Sequence, residues 1–368
     1  MLPLLAIFSS LQLSFALPSP QAQSRFSESL VILDTGVGHR SIPVPRWRTS
    51  LRSLSTKGTN ASTLTQFGPA PNGTNAVEPI GAYALAYSTS TSFLFSATGQ
   101  GIIRTNVDGS DAKLILNDDD SVSSQIVSIT VAEKEAKIYY GNFYTGLIKK
   151  ADFDGRNVEL VRNVSQGLNY DVIPSYVPAN FYPGGIAVDE ARGWLYWSAV
   201  HGDDDGSIRR APLIGEGEQQ ILVSGINMPG QLRIKDNSFY WVERGRWNTS
   251  PTAIKYLDRY LSQLPSTPTS PNTPVPTDTL IHSSQSPLFF ENDYTGERQA
   301  LSIQSFVPYD NGVELTVWFV VESSGRTMFG KLVQANWRGS GGSRGPVFNV
   351  LNADTKDVGV PIGLEYVR

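Results

Sequence analysis

The amino-acid sequence predicts an all-β fold built from one repeated four-stranded unit, and three observations support this prediction. The 368 residues include 33 glycines and 23 prolines, which are typical of a chain with many tight turns. Short segments in which apolar and polar residues alternate recur along most of the chain. One octet occurs three times without gaps, at intervals of about 46 and 60 residues, which equal or slightly exceed the repeat length of a β-propeller.

The composition excludes several classes of protein. The 30 basic and 34 acidic residues give a formal net charge of −4, and 40% of the chain is hydrophobic. This balance argues against a disordered protein and against one that coats nucleic acid. The chain contains no cysteine. The sequence therefore excludes a disulfide framework, a thiolate metal site and a cysteine nucleophile.

The N-terminal segment has the features of a secretion signal. An apolar run covers residues 2–17, is too short to span a bilayer, and carries the small residues Ser14 and Ala16 where signal peptidase prefers them. We expect a signal peptide at residues 1–16 and a single domain at residues 17–368. No later apolar run reaches about 18 residues, so we expect no membrane anchor. Four N-glycosylation sequons favour secretion or residence in the lumen of the secretory pathway, and they begin at Asn60, Asn72, Asn163 and Asn248.

The repeated octet predicts the third strand of each four-stranded unit. Its three copies cover residues 102–109, 148–155 and 208–215. Two alternating segments precede each copy and one follows it, which is the strand content of a propeller blade. The predicted strands around the octets are residues 83–87, 93–96 and 113–116, then 129–132, 138–141 and 159–162, then 186–189, 195–198 and 220–223.

Weaker copies of the pattern complete the predicted ring. The strands of a fourth and a fifth blade are residues 232–234, 239–242, 254–257 and 279–281, then 302–306, 317–321, 329–333 and 348–351. The N-terminal segments 30–34, 42–46 and 63–67 lack an innermost partner, and the segment 362–367 is left over at the C-terminus. We therefore expect a six-bladed β-propeller whose last blade is closed by the N-terminal strands plus the C-terminal strand, an arrangement that removes open sheet edges.

One repeat carries a recognisable signature. Residues 184–189 read Gly-Gly-Ile-Ala-Val-Asp, residues 194–198 read Trp-Leu-Tyr-Trp-Ser, and residues 208–210 read Ile-Arg-Arg. The other copies keep the apolar spacing, with Phe93-Leu94-Phe95-Ser96 and Tyr139-Tyr140-Gly141. The repeat resembles the YWTD-type six-bladed propeller of the lipoprotein-receptor class, although the Asp of that tetrad is missing from every copy. The resemblance covers nearly the whole mature chain and implies the propeller fold, but it does not carry receptor function.

Blade order predicts where a ligand would bind. In a propeller, the loops from an outermost strand to the next innermost strand share one face with the loops between the second and third strands. We expect the ligand site on this face because its loops are long and rich in aromatic residues. The predicted substrate-binding residues are Asn142, Tyr144, Tyr176, Tyr182, Trp247, Phe290 and Tyr294.

Histidine and arginine residues on the same face are the candidate donors. The three histidines, His39, His201 and His282, map to this face or its rim. A surface histidine is usually inert, but three on one face favour a hydrogen-bond donor or a general acid near neutral pH. Arg244 and Arg246 suit a carbonyl or carboxylate group, and solvated surface charge explains them equally well. The predicted catalytic residues are His201 and Arg244.

Three other motifs have simpler explanations. The acidic triplets 118–120 and 203–205 offer oxygen ligands suited to Ca²⁺, but their spacing fits solvated turns better. Residues 341–345 match the nucleophile-elbow expression, yet they lie in a Gly/Ser-rich turn that leads into a strand rather than a helix. The Pro/Ser/Thr-rich stretch 262–277 fits a disordered loop with O-glycosylation. We therefore predict no metal site and no cofactor.

A second resemblance suggests an activity. A secreted, glycosylated propeller of this length, with six degenerate blades and one aromatic face, resembles the fungal hetero-Diels–Alderase propellers of meroterpenoid (tropolone-sesquiterpenoid) biosynthesis. The resemblance implies an enzyme that joins a reactive tropolone-type quinone methide to a terpene. Such a reaction needs an apolar cavity that orders both partners and a donor that activates the diene. In this chain His201 or Arg244 would be that donor.

Two other functions stay open. A non-catalytic secreted module of the YWTD type would bind a protein or a glycan through the same face. A lactonase-like hydrolase would require a divalent metal held by carboxylates that converge on the axis. The enzyme interpretation implies small apolar or aromatic molecules as partners, none of the three involves nucleic acid, and the oligomeric state is left open.

Overall fold

The computed structural model describes residues 28–35, 49–67, 81–99, 101–117, 125–164, 182–200, 206–214, 217–244, 252–257, 278–282, 289–291, 298–300, 302–310, 314–322, 330–338, 346–351 and 361–368. The predicted signal peptide, both acidic triplets, the Pro/Ser/Thr-rich stretch and the segment 341–345 lie outside the described residues. Within the described ranges the regular elements are β-strands, and no helix long and apolar enough to cross a membrane occurs there.

The strands follow one another along the chain with short turns inside each unit. The first fifteen are β1 (Ser29–Asp34), β2 (Ser50–Ser55), β3 (Ser62–Gln66), β4 (Ala82–Ser88), β5 (Phe93–Thr98), β6 (Gly101–Asn106), β7 (Lys113–Leu116), β8 (Ile126–Ala132), β9 (Lys137–Asn142), β10 (Leu147–Asp152), β11 (Glu159–Asn163), β12 (Tyr182–Asp189), β13 (Trp194–Val200), β14 (Gly206–Pro212) and β15 (Gln220–Ile226). The others are β16 (Pro229–Lys235), β17 (Ser238–Glu243), β18 (Ala253–Leu257), β19 (Asp278–His282), β20 (Phe289–Glu291), β21 (Arg298–Ala300), β22 (Ser302–Asp310), β23 (Glu314–Glu322), β24 (Gly330–Arg338), β25 (Val347–Val350) and β26 (Pro361–Val367).

Six four-stranded antiparallel sheets are the blades of a propeller, which confirms the predicted fold class. Blades 1 to 5 are β4–β7, β8–β11, β12–β15, β16–β19 and β22–β25, and blade 6 has the order β26-β1-β2-β3. The innermost strands contact one another around the axis, from β4 through β8, β12, β16, β22 and β26 back to β4. The strands β20 and β21 form a hairpin between blades 4 and 5, which the sequence patterns did not predict.

The hydrophobic core lies between neighbouring blades. Successive side chains of a strand point to opposite sides of its sheet, so one strand supplies apolar groups to two interfaces. Tyr139 packs toward blade 3 while Tyr140 packs toward blade 1, and in blade 3 Trp197 faces blade 2 while Tyr196 faces blade 4. The described residues contain six such apolar clusters, one for each interface of the ring. Packing of this kind holds a ring closed in a chain without cysteine.

The C-terminal strand closes the ring as predicted. Strand β26 pairs antiparallel with β1, with Leu30 opposite Tyr366 and Ile32 opposite Leu364. The prediction for the second strand of this blade, at residues 42–46, is wrong, because Ser50–Ser55 pairs with β1 instead. The segment 42–46 lies outside the described residues, and it contains two prolines that cannot donate to a sheet ladder.

Carboxylates connect the turns between the first and second strands of blades 1, 2 and 3. Glu133 of blade 2 accepts hydrogen bonds from the hydroxyls of Ser88, Thr89 and Ser90 and from the backbone N–H of Thr89 in blade 1. Glu190 of blade 3 accepts bonds from two backbone N–H groups of the blade 2 turn. These contacts align successive blades on the face opposite the predicted ligand site.

Candidate functional site

A narrow cavity lies on the propeller axis. It is lined by the first halves of the innermost strands, and its volume is about 30 Å³, room for about two water molecules. The lining residues are Tyr83, Ala84, Leu85, Val127, Ser128, Ile129, Thr130, Gly184, Gly185, Ile186, Gln231, Leu232, Arg233, Arg244, Gln304, Ser305, Ile362 and Gly363. Because an innermost strand begins on the predicted ligand face, this cavity opens toward that face.

Arg244 follows the last residue of β17 and reaches the axial cavity. Its backbone N–H donates to the carbonyl oxygen of Met228 at 3.2 Å, which fixes the start of the loop. The side chain lies over Gly230, where an added Cβ atom would stand 2.9 Å from the Nε atom of Arg244. That Nε atom is buried and has no hydrogen-bond partner among the described residues. The Arg244 guanidinium therefore has room at this position because residue 230 has no side chain.

Blades 3 and 4 approach each other closely beside Arg244. A Cβ atom on Gly185 would lie 2.2 Å from the carbonyl oxygen of Gly230, and one on Gly184 would lie 2.7 Å from that of Pro229. Only two residues connect β15 to β16, and the second of them, Met228, has a positive φ of 41°. Glycine is required at these contacts because two backbones meet there.

An ion pair with a buried carboxylate joins blades 4 and 6 at the cavity. Arg233 donates from Nη2 and Nη1 to the two carboxylate oxygens of Glu365 at 2.7 and 3.1 Å, and also to the carbonyl oxygen of Leu364 at 3.0 Å. Burial raises the pKa of Glu365, and the charge and hydrogen bonds of Arg233 oppose this shift. The sequence patterns gave no sign of this pair, because its members lie 132 positions apart.

Gln231 and Ser305 continue the polar contacts across blades 4, 5 and 6. The Ser305 hydroxyl donates to the side-chain oxygen of Gln231 at 2.9 Å and accepts a bond from the Leu364 N–H at 3.1 Å. The backbone N–H of Phe306 also donates to Gln231 at 2.9 Å. The Ser305 hydroxyl and the side-chain oxygen of Gln231 are thus occupied within the protein.

Three aromatic side chains meet on the same face between blades 2 and 3. The ring of Phe143 lies 4.5 Å from that of Tyr182 and 5.2 Å from that of Tyr144, with an edge-to-face geometry in the second pair. Asn142 is buried, and its side-chain oxygen accepts hydrogen bonds from the backbone N–H groups of Tyr144 and Thr145. Asn142 therefore shapes the turn that presents the aromatic cluster.

Glu243 is a titratable group on this face that the sequence interpretation did not select. Burial raises its pKa, while the charge of Lys255 and a hydrogen bond from the indole N–H of Trp241 lower it. The Trp241 Nε1 atom lies 3.3 Å from the Glu243 carboxylate. Side chains two residues apart on a strand lie on the same side of the sheet, so Trp241 and Glu243 share one side of blade 4. This two-residue spacing was visible in the sequence and could have predicted the contact.

Several predicted site residues fall outside the described residues, namely His39, His201, Tyr176, Trp247, Tyr294 and the sequon asparagines Asn72 and Asn248. Phe290 lies in β20 and His282 ends β19, and only their backbone is described. Asn60 is exposed in the β2–β3 turn with a positive φ of 59°, and Asn163 ends β11. The structure thus brings Arg244 to the axis and joins Tyr144 to Tyr182 through Phe143. In the described part of the chain, no three His, Asp or Glu side chains group as metal ligands do.

Comparison with known proteins places this architecture among other propellers. No protein-family model matches the chain. A curated protein of Pyricularia oryzae, named low-density lipoprotein receptor-related protein 1, is 28% identical over 169 residues, which cover 44% of this chain and 54% of that protein. The chain therefore matches about half the length of that relative.

Solved structures extend the similarity to almost the whole chain. The nidogen/laminin complex contains a chain with a TM-score of 0.57 and 15% identity, and the match covers 93% of this chain and 99% of that one. The periplasmic gluconolactonase PpgL of Pseudomonas aeruginosa has a TM-score of 0.49 and 10% identity, over 93% of this chain and 99% of that one. Together with the six closed blades, the nidogen similarity shows that this protein is a six-bladed β-propeller with YWTD-type neighbours.

Proposed function

We propose that this protein is a non-catalytic binding module whose ligand is a protein docked on the face around the axial cavity. The observation that carries the proposal is Arg244, whose buried Nε atom lies at the cavity without a hydrogen-bond partner among the described residues. The Arg244 side chain as a whole is only partly buried, so its guanidinium is available to a ligand at the cavity. The aromatic cluster of Phe143, Tyr144 and Tyr182 is half-buried on the same face, and aromatic residues and arginine are the side chains that most often dominate protein interfaces.

The size of the cavity favours a protein ligand over an enclosed small molecule. Pockets that enclose a drug-sized molecule measure about 300–1,000 Å³, whereas the axial cavity within the described residues holds about 30 Å³. A single side-chain group of a docked protein fits that space. The similar proteins agree with this interpretation, since one belongs to a nidogen/laminin complex and the other is named as a receptor-related protein.

Site-directed photocrosslinking tests the proposal. A photoreactive phenylalanine derivative replaces Tyr144 on the ligand face or Asn60 in the β2–β3 turn on the opposite face. We expect a secreted partner protein to crosslink from position 144 and not from position 60. With that partner purified, Arg244→Gln should weaken binding about tenfold or more, as truncation of a central arginine does, while Arg192→Gln on the opposite face should leave binding unchanged. Equal crosslinking from both positions would overturn the proposal.

A second candidate function is the hetero-Diels–Alder reaction, and the aromatic cluster is the observation that favours it. The rings of Phe143, Tyr144 and Tyr182 supply apolar surface for a diene and an alkene, and Arg244 is a hydrogen-bond donor on the same face. Incubation with an electron-poor quinone methide and a terpene tests this activity. Stereoselective adduct formation that Tyr182→Ala abolishes would favour the cyclase, whereas hydrolysis of a lactone that is lost in EDTA would favour a metal-dependent lactonase-like hydrolase instead.

A further inference from the structure

From the charges and contacts on the axis we infer that the mouth of the cavity is a carboxylate subsite, in which the Arg244 guanidinium binds one carboxylate group of the ligand. This inference rests on the proposed binding function and specifies the chemistry that the ligand must present. The carboxylate belongs either to a side chain of a protein ligand or to a free small acid, and the experiment below separates these sources.

Of the two charged residues that line the described part of the cavity, one has no counter-ion among the described residues. Arg233 and Arg244 are the charged residues among the lining residues that the structure describes. Arg233 is neutralised by Glu365 through two hydrogen bonds at 2.7 and 3.1 Å. Arg244 has no ion pair with a described residue, so the cavity carries a net positive charge at its mouth. An anion is the complementary ligand.

The hydroxyls of two serines and one amide nitrogen that line the cavity already have partners. The Ser128 hydroxyl donates to the carbonyl oxygen of Pro183 at 2.7 Å. The Ser305 hydroxyl donates to Gln231, and the amide nitrogen of Gln304 donates to the Ser302 hydroxyl at 3.1 Å. Arg233 and Arg244 each keep a buried Nε atom without a hydrogen-bond partner, but Arg233 has the Glu365 carboxylate as its counter-ion, so Arg244 is the lining cation without one among the described residues.

The geometry of the guanidinium and the volume of the cavity select the class of anion. An arginine guanidinium is a planar fork of N–H donors, pairs of which match the two oxygens of a carboxylate. A carboxylate places two oxygen atoms where a cavity of about 30 Å³ has room for about two waters. A tetrahedral phosphate or sulfate is larger and has more oxygens than this fork can satisfy. A carboxylate is therefore the anion that fits the site.

Gly230 is the residue that holds the fork in place. A Cβ atom at this position would lie 2.9 Å from the Nε atom of Arg244 and within 3.5 Å of two other guanidinium atoms, and no other group is as close. An alanine at residue 230 would therefore displace the guanidinium while leaving its charge and the fold in place. This consequence distinguishes a shaped subsite from general attraction between a cation and an anion.

The Nε–H resonance of Arg244 in the arginine-labelled full-length protein provides the test. The Arg244→Lys variant assigns the resonance, and acetate and N-acetylaspartate N-methylamide are added at constant ionic strength, with chloride and phosphate as reference anions. We expect both carboxylates to shift this resonance with dissociation constants of about a millimolar, as suits a ligand of few atoms, and chloride and phosphate to shift it far less. Tighter binding of the aspartate derivative assigns the subsite to a protein side chain, and tighter binding of acetate assigns it to a free acid.

Two variants make the outcome decisive. Gly230→Ala should weaken carboxylate binding at least about fivefold without a fall in the melting temperature. Arg192→Lys replaces a guanidinium on the opposite face and should leave carboxylate binding unchanged. An Arg244 resonance unmoved by carboxylates, or moved equally in Gly230→Ala, would overturn the inference. A different result would overturn the proposed binding function. In that case acetate would bind at Arg244, but Arg244→Gln would leave the affinity for the crosslinked partner unchanged.

Discussion

The Arg233 guanidinium and the Glu365 carboxylate meet across the propeller axis, with two hydrogen bonds at 2.7 and 3.1 Å. Arg233 lies in β16 of blade 4, and Glu365 lies in β26, the strand that closes the ring. The pair therefore connects the C-terminal strand to a blade that is not its neighbour in the ring. In a chain without cysteine this contact and the strand pairing of β26 with β1 hold the last strand in place.

Removing one partner of this pair should destabilise the fold strongly. Arg233→Ala leaves the buried Glu365 carboxylate without its cation, and breaking a buried pair in this way costs about 3–5 kcal/mol. Urea unfolding followed by tryptophan fluorescence measures the loss. The exposed arginine of the Arg156–Asp154 pair is the control, and Arg156→Ala should change the stability by less than about 0.5 kcal/mol. Equal stability of the two variants would contradict the role given to the axial pair.

One turn position stores backbone strain that glycine would relieve. Ser92, Ala136 and Gly193 occupy the same place in the turns between the first and second strands of blades 1, 2 and 3, and all have positive φ values. Ala136 has φ 51°, a conformation that costs an alanine about 1 kcal/mol. Ala136→Gly should therefore raise the free energy of unfolding by up to about 1 kcal/mol.

Gly193 provides the matched control for this prediction. Its φ is 71°, and an added Cβ atom would meet nothing within 4 Å, so backbone strain is the direct cost of a side chain there. Gly193→Ala should lower the stability by about the amount that Ala136→Gly raises it. Differential scanning calorimetry of both variants checks the opposite signs, and shifts in the same direction would refute the explanation.

The contact between the blade 1 and blade 2 turns should depend on pH. Burial alone raises the pKa of Glu133, but hydrogen bonds from Ser90, Ser88 and Thr89 together hold it below its ordinary value. A carboxyl whose pKa is lower in the folded state contributes stability that is present above the unfolded pKa and is lost as pH falls through the folded pKa. Glu133→Gln should therefore be less stable than the parent at pH 7, and the difference should shrink below about pH 4.5. Urea midpoints at pH 7 and pH 3.5 measure this, and a difference that grows in acid would contradict it.

Glu243 should have the opposite effect on stability. Burial raises its pKa, so it contributes stability that is complete below the unfolded pKa and is lost as pH rises through the folded pKa. Glu243→Gln keeps the shape of the side chain and removes its charge, so the variant should gain stability relative to the parent between pH 4.5 and pH 7. Parallel melting curves across this range decide the sign. If Glu243→Gln became less stable than the parent as pH rises toward 7, the prediction would be contradicted, because the folded state would then stabilise the ionised carboxylate.

The sequence predicted the ring because its signals are local. The alternation of residues such as Tyr139 and Tyr140 marks a strand buried on both sides, and the octets fix the spacing of the blades. The second strand of blade 6 was misplaced because 42–46 alternates like a strand, although its prolines cannot complete a ladder. In this segment the alternation of apolar residues that favours a strand coincides with prolines that disfavour one.

The site was predicted less completely than the fold because its key contacts depend on the closed ring. Arg244 was selected from the sequence as a residue of the ligand face, and the structure places it at the axial cavity. Gly230 and the Arg233–Glu365 pair were missed, since Gly230 matters only through its distance to Arg244 and the pair forms only when blade 6 closes. Contacts between residues that no local pattern links can be predicted only from the folded geometry.

Amide hydrogen exchange of the complex with the crosslinked partner tests the central claim most directly, because it reports the binding face without a substitution. We predict slower exchange around Asn142–Leu147, Tyr182–Gly185 and Arg244, which surround the axial mouth. The turns Ser88–Ser92, Glu133–Ala136 and Glu190–Gly193 on the opposite face should keep their exchange rates. Protection confined to those turns would contradict the account.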